Sequence, residues 1–361
     1  MTAADLPSRL ADTIRSTGPI PFSAFMEAAL YDESGGFYAG GGRAGRRGDF
    51  VTSPEVGPLF GTVLARALDT WWDELGRPVP FDVVDVGAGP GTLARAVLAA
   101  RPRCRVEGAL RYTAVERSAG QRREHEGLPL RSTATWPDGG LTGVVIANEL
   151  LDNLAFRLAV FDGVWREAFV DVAPVAGPSP RFVEVLRPID AGALPFGLPA
   201  TAAHGARAPI EVEAARFVVD ALGLLDRGRV VVLDYARTTA ELASAPWRAW
   251  LRTYRSHERG RHYLVEPGSQ DITAEVAIDQ LPPPTSVDTQ AGFLAAHGLD
   301  ELVEAGRRTW AANAAAPDLA ALKARSRIRE AEALVDPTGL GRFAVLQWVV
   351  GGGGDGGRVD R

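Results

Sequence analysis

Cysteine is almost missing from this chain: Cys104 stands alone among 361 residues. That excludes an intrachain disulfide and a zinc site built on cysteines, and it suits a reducing cytoplasmic setting, the localisation expected here. The five histidines are scattered, with no H-x-x-x-H or H-E-x-x-H spacing, so no catalytic metal is expected. No apolar run approaches the ~20 residues that span a bilayer. The opening Met1-Thr2-Ala3-Ala4-Asp5 lacks the basic-then-apolar order of a signal peptide. Excess positive charge is absent too: a net charge of −6 gives no electrostatic reason to expect nucleic-acid binding. Lysine occurs once, at Lys323, and arginine carries the remaining basic charge. Coding bias explains that together with the abundant Ala, Gly and Pro, so no functional conclusion rests on it. No internal repeat is visible.

What remains is an ordinary globular composition, 46% hydrophobic and 23% charged. The length allows one large domain or two unequal ones. Its most informative stretch is Val83-Val84-Asp85-Val86-Gly87-Ala88-Gly89-Pro90-Gly91. A short apolar run carries an acid near its end, three glycines follow at alternate positions, and an Ala-rich helical pattern begins near Thr92. Glycines there let the backbone bend tightly and let a ligand approach without a Cβ in the way. The helix start points unpaired N–H groups into the same space. The spacing is G-x-G-x-G rather than the dinucleotide G-x-G-x-x-G, and Pro90 precedes the last glycine. Asp85 would repel a pyrophosphate but suits a cationic, amino-bearing ligand. S-adenosylmethionine fits that charge logic and NAD fits it poorly. A second acid, Glu116, closes the run Arg111-Tyr112-Thr113-Ala114-Val115 and is placed to accept hydrogen bonds from both ribose hydroxyls of a nucleoside.

Along the chain, helices are expected over 6–30, broken at Gly18-Pro19 with Ser23 as a cap, and over 57–75. Residues 31–55 form a loop rich in Gly and Arg. Strands at 81–86, 111–116 and 143–148 alternate with helices at 91–100 and 118–125, which argues for a parallel sheet. Short alternating runs between 155 and 188, with a hairpin signal at Asp162-Gly163, predict an antiparallel insertion. A helix at 210–224 and a strand at 230–235 resume the core, and 240–284 forms a second insertion. Helices at 290–296 and near 312–333 and a strand at 343–349 complete it. The expected domains are a helical cap region, 1–76, and a core, 77–350, with insertions at about 155–209 and 240–284. The Gly-rich tail 351–361 should be disordered.

Two segments have the composition for chemistry. Asn148, Glu149 and Asp152, in Ile146-Ala147-Asn148-Glu149-Leu150-Leu151-Asp152, follow a strand at its carboxyl end, where ligands of open α/β sheets bind. Their amide and carboxylates suit a guanidinium through bidentate charge-assisted pairing; a plain helix cap is the structural alternative. Gly48-Asp49-Phe50-Val51-Thr52-Ser53-Pro54-Glu55 is the other. Thr52 or Ser53 before Pro54 would cap the helix at 57–75, which leaves Asp49 and Glu55 free to face the crevice. Trp136 is placed to lie against an adenine ring. Arg255, His257, His262 and Asp271 are polar enough to line a cleft.

These residues resemble the MidA-like methyltransferases. The resemblance runs through Pro21 to Tyr38 (PFSAFMEAALYDESGGFY), GDFVTSPE at Gly48–Glu55, the glycine turn, and ANELLD at Ala147–Asp152. It continues in Leu251–His257, Pro267–Ala274 and Thr289–Leu294, covering roughly 18–350. It implies a Rossmann-like class I methyltransferase sheet with an N-terminal helical region and α/β insertions, and S-adenosylmethionine as donor. It implies that Asp49 to Glu55 wall the active site and that Glu116 holds the ribose. The family includes a mitochondrial protein-arginine methyltransferase, so a protein arginine side chain is the implied acceptor. Two departures touch that acceptor. The family's D-A-L-P is Asp152-Asn153-Leu154-Ala155 here, and its H-x-D-P-L-like stretch is replaced by Glu258–Glu266. A small-molecule methyltransferase and a non-catalytic assembly scaffold stay open as alternatives, and a NAD-dependent oxidoreductase is the weakest.

Overall fold

The computed structural model describes residues 5–39, 52–174, 177, 179–189, 192, 197–255 and 258–351. Asp49, His257 and the glycine tail beyond Gly351 lie outside the described residues. Helices Leu6–Thr17 (α1) and Phe22–Tyr31 (α2) open the chain. Asp5 caps α1 by accepting the Ser8 N–H at 3.0 Å. The cap expected of Ser23 is not used: α2 starts one residue earlier, after Pro21, whose extended backbone already sets the entry. Next come the one-turn Ser53–Val56 (α3) and the long Pro58–Glu74 (α4).

The expected cap of α4 is likewise replaced. Thr52 precedes α3 without a side-chain bond, and the Ser53 hydroxyl turns instead to Gln290. The first turn of α4 is satisfied from far along the chain, where Glu330 Oε2 accepts the Leu59 N–H at 2.9 Å. That carboxyl fits because residue 57 is glycine. A Cβ there would sit 2.3 Å from Glu330 Cδ, so the close approach, not the backbone angle, demands Gly57.

Seven strands build the central sheet: Phe81–Val86 (β1), Leu110–Val115 (β2), Arg131–Thr133 (β3), Leu141–Asn148 (β4), Leu225–Asp234 (β5), Ser286–Thr289 (β6) and Ala344–Val350 (β7). Their order is β6-β7-β5-β4-β1-β2-β3. All neighbours from β3 to β5 are parallel, while β7 runs antiparallel to both β5 and β6. The expected Rossmann-like sheet is therefore present. β1 is buried at every position, as a strand covered on both faces must be. One face packs on α4 and on helix Thr92–Ala100 (α5) through Phe60, Leu64, Trp71, Val97 and Leu98. The other packs on helix Val212–Gly223 through Phe217, Val218 and Ala221.

A second sheet forms as the alternating runs predict. Arg157–Phe161 and Trp165–Val172 make a hairpin at Asp162-Gly163, flanked by Arg207–Ile210 and Phe182–Pro188. A further three-stranded piece pairs Leu251–Arg255 with Asp271–Ala274 and Glu258–Arg259. α1 and α2 pack on these insertions rather than on the central sheet. Phe22, Phe25 and Met26 share a buried cluster with Phe156, Phe182, Trp250 and Tyr263. The insertions and the N-terminal helices thus form one layer, held over the carboxyl end of the central sheet through Tyr31, Asn153 and Asp271.

Candidate active site

From β1 the chain steps outward to β2 and β3, and from β4 it steps the other way to β5. The order reverses between β1 and β4, which is where an open α/β sheet leaves a crevice at its strand ends. The loop after β1 is the glycine turn. Gly87, Gly89 and Gly91 have φ of 70°, 56° and 79°, the left-handed region that glycine enters at no steric cost. A side chain at Gly87 would place its Cβ 2.8 Å from Leu150 Cδ1. Glu116, just past β2, reaches across the turn. Its Oε2 accepts the Gly89 N–H at 3.0 Å and its Oε1 the Ser118 N–H at 2.7 Å. Burial raises its pKa, against the pull of those two amides. His125 braces the turn from behind, with Nε2 2.8 Å from Gly89 O and Nδ1 2.8 Å from Ser132 Oγ.

Asp85 lies beneath the turn instead of in it. It is 2% exposed and accepts the Tyr112 hydroxyl at 2.9 Å. Burial lifts its pKa to about 7, opposed by that hydrogen bond and reinforced by Glu116. The acid expected to serve a ligand's amino end, directly or through water, is thus buried beneath the glycine turn and bonded to Tyr112.

Across the crevice, β4 ends at Asn148, and Glu149 follows with φ of 52°. A non-glycine residue held there costs about 1–3 kcal/mol, so the surroundings must hold it in place. The Glu149 N–H continues the ladder to Leu233 O at 2.8 Å, which leaves its side chain at the crevice. Glu149 Oε1 accepts the Ser53 N–H at 2.8 Å and the Asn148 amide at 3.2 Å. Burial above all raises its pKa to about 8; the Ser53 amide opposes this and Asp152 adds to it.

Asp152 stands on the single turn Leu151–Asn153. Its Oδ2 accepts the Thr273 hydroxyl at 2.6 Å. Burial raises this carboxyl to about 6, with Thr273 and Arg252 pulling the other way. Asp271, buried at 1% exposure, receives Asn153 Nδ2 and the Tyr38 hydroxyl, both at 3.3 Å, and burial lifts it to about 7. Two oxygens in this acidic wall, Asn148 Oδ1 and Asp152 Oδ1, are buried without a hydrogen-bond partner. Buried acceptors of that kind are costly unless something fills them.

Two short segments close the crevice. α3 touches both sides: Ser53 meets Glu149, while Glu55 Oε1 accepts the Thr92 hydroxyl at the start of α5 at 2.7 Å. Ser53 Oγ donates to Gln290 Oε1 at 2.8 Å, and Pro54 is buried behind it. The segment 31–38 forms the other wall. Tyr31 and Tyr38 stack at 5.5 Å, and their hydroxyls donate to the Asn153 carbonyl and side chain at 3.1 Å each. The Arg117 guanidinium lies 4.6 Å over the Tyr31 ring and pairs with Glu27 at 2.8 Å.

The expected residues Gly87, Gly89, Gly91, Glu116, Asn148, Glu149, Asp152, Ser53, Pro54 and Glu55 are thus gathered about one crevice, with Thr52 at the head of α3. Trp136 packs its ring 5.3 Å from Phe217, with part of its surface exposed. Of the polar residues in the second insertion, Asp271 joins the site. Arg255 is an exposed partner of Glu266 at 3.2 Å. His262 lines a cleft of about 490 Å³ with Glu184, Arg207 and Glu266 on the second sheet. Asp234, Thr273, His125, Tyr31 and Tyr38 were not foreseen. Asp234 carried a usable signal, an acid closing an apolar strand, as in Asp85 and Glu116.

The donor side fits S-adenosylmethionine. A turn open to close backbone approach, ringed by Glu116 and Glu55, receives an ammonium and a sulfonium well and a pyrophosphate badly. Comparison with known proteins agrees. A crystal structure of a COG1565 superfamily member from Burkholderia thailandensis, bound to S-adenosyl-homocysteine, superposes with a TM-score of 0.78. It is 27% identical, covering 97% of this chain and 92% of that one. "Protein arginine methyltransferase NDUFAF7 homolog, mitochondrial" of Drosophila melanogaster is 29% identical over 75% of this chain and 68% of its own length. The Homo sapiens protein arginine methyltransferase NDUFAF7, mitochondrial, is 27% identical over 74% and 66%. The chain thus spans about two thirds of these relatives. Residues 63–292 match the family model described as "Putative S-adenosyl-L-methionine-dependent methyltransferase". With its glycine turn, its acidic crevice and that match, the chain belongs to this family of S-adenosylmethionine-dependent methyltransferases.

Proposed function

We propose that this enzyme methylates an arginine side chain of a protein. The observation that carries the reading is the pair of partnerless buried oxygens, Asn148 Oδ1 and Asp152 Oδ1, beside the Glu149 carboxyl. A guanidinium supplies what they lack, a planar cation with five N–H donors. S-adenosylmethionine, held by the glycine turn and Glu116, supplies a sulfonium-bound methyl group open to in-line displacement. Every other part of the reaction falls to the chain. Asn148 and Asp152 orient the guanidinium, and α3 with the Tyr31–Tyr38 wall keeps water out. A guanidinium nitrogen has no free lone pair until a proton leaves. Glu149, in its ionised form, takes that proton as the nitrogen–carbon bond forms and the sulfur–methyl bond breaks, releasing S-adenosylhomocysteine; with a pKa of about 8, the fraction able to do so grows as pH rises through that value.

The names of the relatives, protein arginine methyltransferases, support the same acceptor. A cytoplasmic setting is part of the proposal, which the single buried thiol of Cys104 suits; cell fractionation checks it. For the acceptor, the enzyme is incubated with methyl-labelled donor and a lysate of its own cells. Label recovered as methylarginine after protein hydrolysis is the expected result, and label confined to small molecules overturns the reading.

A further inference from the structure

We propose that Asp234 is a positioning residue for the methyl acceptor, fixing the turn Leu151–Asn153 so that a single oxygen of Asp152 is offered to the incoming group. Asp234 closes β5 and is 2% exposed. Its Oδ2 accepts the N–H groups of Leu151 at 2.8 Å and Asp152 at 3.3 Å, and its Oδ1 accepts the Tyr235 N–H at 2.8 Å. A three-residue turn has too few internal bonds to hold its own shape. Asp234 grips it from β5, and the strand Asp271–Ala274 grips it from the other side. There Asn153 Nδ2 donates to Asp271 Oδ1 and to the Ile272 carbonyl, each at 3.3 Å. The Thr273 hydroxyl then occupies Asp152 Oδ2, so Oδ1 alone is left, buried and without a partner.

Charge follows from the same geometry. The groups facing this turn are Glu149 and Asp152 on it or beside it, Tyr235 just past β5, Asp271 and Thr273, Tyr31 and Tyr38, and Arg252 from the strand Leu251–Arg255. Arg252 is itself paired with Glu275 at 3.1 Å. The carboxylates outnumber their counter-charge, and burial, with Asp152 and Glu149 beside it, raises the Asp234 carboxyl well above the ordinary carboxylate range.

The role of Asp152 as a cation ligand rests on the proposed arginine acceptor; the hold of Asp234 on the turn does not. The test therefore reads both. In the full-length protein with S-adenosylhomocysteine bound, the Asp152 carboxyl is titrated by NMR with carbon-13-labelled aspartate. Asp234→Ala frees the turn from β5, so water reaches Asp152 Oδ1 and the Asp152 midpoint should fall toward the ordinary carboxylate value. Asp234→Asn keeps an oxygen for the Leu151 and Asp152 amides and should hold the midpoint near its wild-type position, a rescue that loss of bulk alone does not explain. A midpoint unmoved in Asp234→Ala overturns the proposal. Binding of Nα-acetyl-arginine amide should fall at least tenfold in Asp234→Ala and recover to within threefold in Asp234→Asn. S-adenosylhomocysteine affinity should stay within twofold throughout. Unchanged probe binding in Asp234→Ala also overturns the proposal. If the wild type does not bind the probe, the arginine reading fails and the titration alone decides for Asp234. Should Asp234→Ala not fold, Asp234→Ser, whose side chain is too short to reach the turn, takes its place in the titration.

Discussion

Replacing Glu149 with glutamine should make the enzyme more stable and nearly inactive at once. The glutamine oxygen can keep both bonds that Glu149 Oε1 accepts, from the Ser53 N–H and the Asn148 amide, so the pocket's shape is preserved. What disappears is an ionisable group raised from 4.5 to about 8. Below pH 4.5 that group is protonated whether the chain is folded or not, and wild type and variant should differ little. Between 4.5 and 8 the unfolded wild type sheds the proton while the folded one keeps it, so wild-type stability falls as pH rises. Above 8 the loss is complete, up to about 5 kcal/mol from the pKa difference alone. Solvent reaching the side chain from the crevice reduces this to about 2–3 kcal/mol, worth about 3 °C in a chain of this length. Catalysis moves the other way. Loss of a positioned base and of a charged partner for the acceptor should cost roughly 10²–10⁴ in kcat/KM. Thermal unfolding of both proteins from pH 4 to 9, with methyl transfer measured alongside, checks the pair of effects. A variant no more stable than wild type at pH 9, or one retaining a tenth of the activity, refutes the assignment of Glu149.

Three further outcomes follow from the geometry. Glu116→Ala frees the amides of Gly89 and Ser118 and removes the acid that faces the donor; calorimetric affinity for S-adenosylhomocysteine should drop about 10–100-fold, as expected for a lost charged hydrogen-bond acceptor, and a change under twofold would count against the ribose role. Gly87→Ala sets a Cβ 2.8 Å from Leu150 Cδ1 in a backbone at φ 70°, and should lower unfolding free energy by about 1–3 kcal/mol while weakening the donor. Glu330→Ala strands the Leu59 N–H at the head of α4 and should cost about 1–3 kcal/mol in denaturant unfolding; a neutral result would mean that water replaces the carboxyl.

The parts of this molecule that the sequence made legible are those where a local pattern and a global need coincide. β1 and most of β5 are buried on both faces, so their apolar runs stand out, and the left-handed backbone of the glycine turn is a local demand that spacing shows. β6, Ser286–Thr289, is exposed at all four positions and pairs only at the sheet edge, so it carries no hydrophobic signal. The helix Leu299–Asn313 escaped notice because its apolar stripe is thin, with only Leu299, Val303 and Gly306 buried. Caps failed for a different reason. Ser23 was passed over because Pro21 already sets the entry to α2; at α4, Glu330, 271 positions from Leu59, takes the place of the local cap, and such a partner cannot be read from spacing. Asn148, Glu149 and Asp152 were legible as candidates because they stand at a strand end. Tyr31 and Tyr38 belong to a helix-and-loop segment whose partners, Asn153 and Asp271, lie more than a hundred residues away.

α3 is only four residues long, yet it reaches both sides of the crevice. Its Ser53 amide sits on Glu149, and its Glu55 on the threonine that begins the helix after the glycine turn. Anyone grafting a foreign loop here to change what is methylated would therefore retune the grip on the methyl source by the same stroke.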